Sequence, residues 1–382
     1  MNHKLKKLLR LPYDIYSYNI KSKFKILKPQ KLVIVLTYHC NSRCVMCNIW
    51  KMDTTNEMSL EQWQQLLKDP IFQTIQSVSI TGGEALLSPH CIPIIAFLRK
   101  TMPKLSALEI VSNGFATDLI KRKVDTIADF CRQNNIKFSI AISLDGVGKK
   151  HEEVRRIPFA YDKVINTLTE LKLLQKKYKF SLIVASVIMK QTLPHIPKLQ
   201  MWSSSNSIPV YFQLVGFHDS YLQNRNQKSE TEIPASNKSQ LLEFLGDMGK
   251  PKSITNLESY YWKDMYNMYK DGAPRTTPCP FQYDEFAIDA FGNIYNCLSE
   301  HSIGNFLKTR SVSKIYFDPE NIKLREFVKK FRCPTCNSDC DIRRGIAYDA
   351  KHYLWFILTG SPWYGRAYHW NKVLTSLKIR ST

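Results

Sequence analysis

The sequence predicts an α/β fold, a partial (β/α)6 TIM-like barrel with a small cysteine-bearing domain after it. Three observations predict it. Between residues 31 and 220, short apolar runs alternate with longer segments of helical period, six times over. The short runs are apolar at successive positions, as parallel strands covered by helices must be. Polar residues suited to binding lie just past the ends of successive runs, and parallel barrels build their sites on that face.

Taken in order, LVIVLT (32–37) is the first strand. SLEQWQQLLKD (59–69) is a helix capped by Ser59, followed by strand SVSIT (77–81). SPHCIPIIAFLRKT (88–101) is a helix with Ser88 as its cap and Pro89 in its first turn. Strand ALEIVS (107–112), helix TDLIKRKVDTIADFCRQN (117–134) and strand KFSIAISL (137–144) come next. YDKVINTLTELKLLQKKY (161–178) repeats Val164, Ile165, Leu168, Leu171 and Leu174 at helical spacing. Strand SLIVASVIM (181–189), a helix near 194–204 and strand PVYFQLVG (209–216) complete the six repeats.

This places the barrel at 31–220, after a basic N-terminal extension at 1–30 in which Leu5, Leu8 and Leu9 mark a helix face that Pro12 ends. Residues 221–275 are a polar linker with helices, 276–345 a cysteine module, and 346–382 a basic, aromatic C-terminal segment. The chain carries 54 Lys and Arg against 33 Asp and Glu, a net charge of +21. Such a balance suits anionic partners and says nothing of fold. Pro12 and Asp14 interrupt any signal-peptide core, and no run reaches the ~20 apolar residues of a membrane span. The expected compartment is the cytoplasm, where ten cysteines argue for metal ligands over disulfides.

Cys40, Cys44 and Cys47 follow the first strand in the spacing C-x3-C-x2-C. Structural zinc takes four ligands, often as two CxxC-like pairs. No fourth Cys or His stands at a natural distance, and His39, beside Cys40, is expected to point away. Three thiolates on a four-iron cluster leave one iron without a protein ligand. This motif, with Met46 before Cys47, resembles the signature of the radical S-adenosylmethionine (SAM) superfamily. The resemblance implies a [4Fe–4S] cluster whose open iron binds SAM, a 5′-deoxyadenosyl radical as reagent, and a flavodoxin- or ferredoxin-type reductant.

Gly82-Gly83-Glu84 directly follows the second strand and resembles the family's SAM-amino motif. Glycines let backbone approach closely, and a carboxylate accepts bonds from an ammonium. Asn113 ends strand three; Ser143 ends strand four with Asp145 just past it. The resemblance assigns Asn113 and Ser143 to SAM and leaves Asp145 open, with Asn113 and Asp145 equally explicable as a turn or cap. Arg155, in HEEVRRIPFAYDKVI, matches the family's SAM-carboxylate arginine. Strand five departs from the pattern, because Met189-Lys190-Gln191-Thr192 lacks the expected asparagine.

A second group comprises Cys279, Cys297, Cys333, Cys336 and Cys340. The first two flank FAIDAFGNIYN, which reads as a hairpin turning at Gly292-Asn293. Four thiols there suit zinc as well as iron. The order of cysteine, hairpin, cysteine, Ile303-Gly304-Asn305 and CxxC resembles the SPASM and twitch modules appended to radical SAM enzymes. That resemblance implies one auxiliary [4Fe–4S] cluster on Cys279, Cys297, Cys333 and Cys336, with Cys340 replacing one of them or left free. Cys91 and Cys131 continue apolar helix stripes and belong to the core.

The expected function is hydrogen abstraction from a small or carbohydrate-like substrate, with the auxiliary cluster accepting an electron. The acid–base residue is not identified by sequence. Alternatives are a peptide maturase, an RNA-modifying radical SAM enzyme, or a zinc-bound nucleic-acid-binding protein without catalysis. Basic and aromatic residues alternate after Lys351, so peripheral contact with an anionic membrane is a further expectation, and nucleic acid is the less expected partner.

Overall fold

The computed structural model describes residues 12–250, 258–338 and 348–364. Backbone contacts divide them into two units. One comprises 28–233 with 284–323; the other comprises the described parts of 1–27, 234–283 and 324–382.

The first unit is built on strands β1 (Lys31–Val35), β2 (Ser77–Thr81), β3 (Ala107–Ser112), β4 (Lys137–Ser143), β5 (Ser181–Ile188) and β6 (Val210–Leu214). Each pairs in parallel with the next, in sequence order, as expected for a partial α/β barrel. The sheet also continues on the other side of β1. There β7 (Glu285–Ile288) pairs in parallel with β1, and β8 (Asn293–Tyr295) and β9 (Gly304–Asn305) add antiparallel. The β7–β8 turn is set by Gly292 at φ +77°, a left-handed conformation that glycine adopts without strain. Asp289 fastens the turn, accepting from the backbone N–H groups of Phe291 and Asn293, both at 2.9 Å.

The strands are not apolar on both faces. Burial alternates along β2 to β5: Val78, Ile80, Leu108, Ile110, Ile140, Ile142, Leu182 and Val184 are buried, and their neighbours are small, polar or half exposed. One face packs under helices; the other, with Ser79, Glu109 and Val111, is open. A barrel of six parallel strands is not filled on its inner side as a closed one is.

The covering helices follow their apolar stripes. Leu60–Leu67 starts with a capping box, Ser59 Oγ accepting from Gln62 N and Gln62 Oε1 from Ser59 N. Thr117–Gln133 buries Ile120, Val124, Ile127 and Cys131, and Ala160–Tyr178 buries Val164, Leu168 and Leu171. The helix expected from Ser88 runs instead over Cys91–Thr101. Ser88 Oγ accepts from His90 N in the preceding turn, and the cap moves from Ser88 to His90. Ile196–Asn206, between β5 and β6 in the chain, buries Ile196 and Leu199.

In the second unit, helices Lys238–Met248 and Glu258–Asp271 pack together, with Phe244 against Trp262 at 5.7 Å. Asp264, fully buried, accepts from the backbone N–H groups of Thr276 and Thr277 and so pins the chain that leads to Cys279. Residues 12–19 are helical, past the Pro12 at which the sequence ends a helix; Leu5, Leu8 and Leu9 lie outside the described residues. Tyr18 meets Tyr348 at 4.5 Å, and Tyr348 stacks on Tyr283 at 4.9 Å. Helix Ala350–Thr359 buries Tyr353 and Phe356 against Tyr260. No helix among the described residues is long and apolar enough to cross a membrane.

Candidate active site at the cysteine loop

The loop after β1 is held before it is anything else. Glu57 accepts from Thr37 Oγ1 at 2.7 Å and from Tyr38 N at 2.5 Å. Gly83 N donates to Thr37 O at 2.7 Å, and Glu84 N to His39 O at 2.8 Å, so Gly82–Glu84 run against Thr37–His39 as a continuation of the sheet. Both glycines are required by that approach. A Cβ on Gly82 would stand 2.3 Å from Thr37 O, and one on Gly83 would stand 2.4 Å from His39 O and 2.6 Å from Tyr38 O. The sequence reading gave these glycines a ligand to approach; the close neighbour in the protein is the backbone that enters the cysteine loop. Gly83→Ala is therefore expected to cost ~1–3 kcal/mol, the range for overpacking against rigid atoms. Urea unfolding of the metal-free protein checks this, and an unchanged midpoint would refute it.

Glu84 is 1% exposed. Its Oε2 accepts from Asn113 N at 2.6 Å and Ser112 Oγ at 3.1 Å, and its Oε1 from Leu86 N at 3.2 Å. Burial pushes its carboxyl up to about 7, against these bonds and the Arg155 charge. Glu84 thus fastens the end of β2 to the end of β3, and Oε1 keeps room for one more donor. Asn113, thereby fixed, donates to Asn41 Oδ1 at 2.7 Å and stands 3.9 Å from Cys40 Sγ.

The opposite side of the loop is held by helix Lys149–Arg155. Arg43 N donates to Arg155 O and Val45 N to Val154 O. The buried Arg155 guanidinium reaches Asp145 Oδ2 through Nε at 2.7 Å and Nη2 at 2.6 Å, and its Nη1 lies 3.4 Å from Cys44 Sγ. Burial opposes its charge, but Asp145 and Cys44 outweigh that and keep it protonated. Asp145 Oδ1 accepts from Val187 N on β5 at 2.9 Å, so strands four and five both position this pair. His151, wholly buried, accepts from Asp145 N through Nδ1 and is held neutral by burial and by Arg155. Ser143 ends β4, buried, two residues before Asp145.

The three thiols are free cysteines. Burial pushes Cys40 up to about 11 and Cys47 up to about 12, each raised further by neighbouring thiols of the trio. Cys40 and Cys47 thus keep their protons at neutral pH until a metal displaces them. Among the described residues, no three His, Cys, Asp or Glu groups converge on a site for a single metal ion. Cys40, Cys44 and Cys47 lie within electrostatic reach of one another, with a cation at Cys44 and an amide near Cys40, surroundings that suit a larger cluster bound on three corners.

Sequence reasoning missed the loop after β6. Residues 218–227, placed largely within a polar linker, clamp the cysteine loop. Asn224, fully buried, donates to Met46 O at 2.8 Å and to Gly216 O at 2.9 Å. Asn48 N donates to Leu222 O, Asn48 Nδ2 to Gln223 O at 2.7 Å, and Gln227 Nε2 to Asn48 Oδ1 at 3.0 Å. Tyr221 Oη meets Thr81 Oγ1 at 3.1 Å and donates to Gly82 O at 3.3 Å. The same loop reaches the chain just after Cys297: Ser220 Oγ donates to Leu298 O at 2.8 Å, and His218 Nε2 lies 3.1 Å from Ser299 Oγ. The only local signal was the run of amide side chains Gln223, Asn224, Asn226 and Gln227.

Of the second cysteine group, Cys279, Cys333 and Cys336 lie in the second unit and Cys297 in the first. Cys340 lies outside the described residues. Tyr283 lies within electrostatic reach of both Cys279 and Cys333, and Arg275 binds the CxxC turn, its N donating to Pro334 O at 2.8 Å.

Residues 34–193 match the family model of the Radical SAM superfamily. Among curated proteins the chain is similar to a GTP 3′,8-cyclase of Synechocystis sp., 24% identical over 42% of this chain and 46% of that enzyme. It is also similar to a GTP 3′,8-cyclase of Heliobacterium modesticaldum, 29% identical over 25% of this chain and 32% of that enzyme. The chain thus spans less than half the length of these relatives. Among solved structures, Streptococcus suis SuiB bound to S-adenosylmethionine superimposes with a TM-score of 0.56 at 15% identity, over 89% of this chain and 76% of that one. The protein anSMEcpe with bound AdoMet gives 0.56 at 18% identity, over 87% and 100%. At these identities the likeness is one of fold.

Proposed function

We propose, from the premise that residues 34–193 form a radical SAM domain, that this chain cleaves SAM reductively and abstracts hydrogen from a carbon of its substrate. A [4Fe–4S] cluster with one open iron supplies the electron and the binding site for SAM's amino and carboxylate groups, and the nucleoside radical is the reagent. Cys40, Cys44 and Cys47 would hold the cluster. Asn113 and Arg155 orient the loop that carries them. Gly82, Gly83 and Glu84 would face the SAM ammonium, with Glu84 Oε1 offering the acceptor position, and Ser143 lies on the same strand-end face. Arg155 has two N–H groups beyond those given to Asp145 and Cys44, which suits a SAM carboxylate.

The observation that carries this reading is the trio of free thiols, locked between Arg155 and Asn113 at the carboxyl ends of parallel strands. Anaerobic reconstitution tests it. Brown protein with sulfide and about eight irons, four for each of two clusters, is expected, together with 5′-deoxyadenosine after reduction. Colourless protein carrying zinc refutes it and restores the zinc-bound alternative.

The second cluster is supported by the spacing of Cys279, Cys297, Cys333 and Cys336, and it would take an electron from the substrate radical. Cys336→Ala is expected to retain SAM cleavage and lose product. Normal turnover in this variant refutes an electron-accepting role.

Two observations favour a peptide over a carbohydrate-like substrate. The structures of SuiB with its precursor peptide SuiA and of anSMEcpe with a bound peptide are similar over 96% and 85% of this chain. That likeness extends well beyond the radical SAM domain.

A further inference from the structure

The second unit leaves bulky apolar side chains in water. Of fifteen large apolar residues exposed among the described residues, ten lie in this unit, the smaller of the two. Helix Ala350–Thr359 is apolar nearly all round. A helix of that kind is normally buried on every side. Here Tyr353 and Phe356 are buried, whereas Leu354, Trp355 and Leu358 are 57%, 40% and 75% exposed. Ile20 and Phe24, just after the helical residues 12–19, are 51% and 85% exposed.

These segments are neighbours. Tyr18 contacts Tyr348, Tyr348 stacks on Tyr283, and Lys329 stands 4.5 Å over the Tyr283 ring. The charge beside them has one prevailing sign. Lys23, Lys25, Lys330, Arg332 and Lys351 are exposed. Glu326 is the exposed acid among them, and Asp349 is paired with His352 at 2.5 Å. The sequence on either side continues the pattern: residues 1–11 and 365–382 contain lysine and arginine and no acidic residue.

We infer that this part of the second unit docks on an anionic lipid surface. Ile20, Phe24, Leu354, Trp355 and Leu358 enter the boundary between headgroups and acyl chains, and the flanking lysines meet lipid phosphates. Nucleic acid would use stacked aromatics and basic groups but would have no use for exposed Ile20, Leu354 and Leu358. The inference goes beyond the proposed chemistry and is independent of it.

Vesicle flotation of the full-length protein tests it and reads no turnover. Vesicles of phosphatidylcholine mixed with phosphatidylglycerol are compared with phosphatidylcholine alone, at low and raised salt. The expected result is at least about tenfold stronger association with the anionic vesicles, weakening as salt rises. Leu354→Ser with Leu358→Ser, and separately Lys23→Glu with Lys25→Glu, each reduce it at least about fivefold, with circular dichroism unchanged. The proposal is overturned by equal partition into neutral vesicles, by no partition, or by variants that bind like the parent. It is equally overturned if the same substitutions instead abolish self-association or salt-sensitive RNA binding.

Discussion

Cys44→Ala is expected to lower 5′-deoxyadenosine formation by at least ~10³-fold, a loss of at least ~4 kcal/mol in barrier lowering. The thiol is buried and lies between Ser42 Oγ at 3.0 Å and Arg155 Nη1 at 3.4 Å. Cys91 and Cys131 cannot take its place, being sealed in helix stripes on the covered side of the sheet. Those two supply the control. Cys131→Ala also removes a buried thiol and is expected to preserve SAM cleavage at a small cost in stability. Product quantified under reducing, anaerobic conditions decides the matter. Cleavage retained in the Cys44 variant would mean that the trio does not hold the reactive cluster.

Asp145→Ala is expected to destabilise the metal-free protein by ~3–5 kcal/mol, the cost of stranding a buried charge. Arg155 is 7% exposed and Asp145 1% exposed, and two guanidinium nitrogens share one carboxylate oxygen. Removing the carboxylate also deprives Val187 N of its acceptor. If charge imbalance is the cause, Asp145→Leu combined with Arg155→Met will be less destabilised than either single variant. Urea denaturation of the four proteins measures this cycle. An additive result would show that packing, not charge, is what Asp145 provides.

Much of this was legible in the sequence, and the two main omissions share one cause. Local periodicity showed the six strand–helix repeats because each repeat buries its own stripe; Ser77–Thr81 and Ala107–Ser112 fall where the apolar runs do. The C-x3-C-x2-C and GGE segments were legible because each is contiguous. The parallel pairing of Glu285–Ile288 with Lys31–Ile34 was not, since it joins residues some 250 positions apart and leaves no period in either. Asn224 was missed for the same reason: its partner, Met46 O, is a backbone atom that no pattern of side chains reveals. The uniform apolarity expected of the strands failed at the open face, where Ser79 and Glu109 replace the filler a closed barrel would need.

The stretch from His218 to Asn224 grips Met46 and Asn48 at one end and Leu298 and Ser299 at the other. Its length is therefore a shared dimension. Adding or deleting a residue there would shift the seats of two thiol-bearing segments together, whereas most surface connections absorb such changes without consequence. A graft of this connection between related chains would succeed only if both of the segments it grips travelled with it.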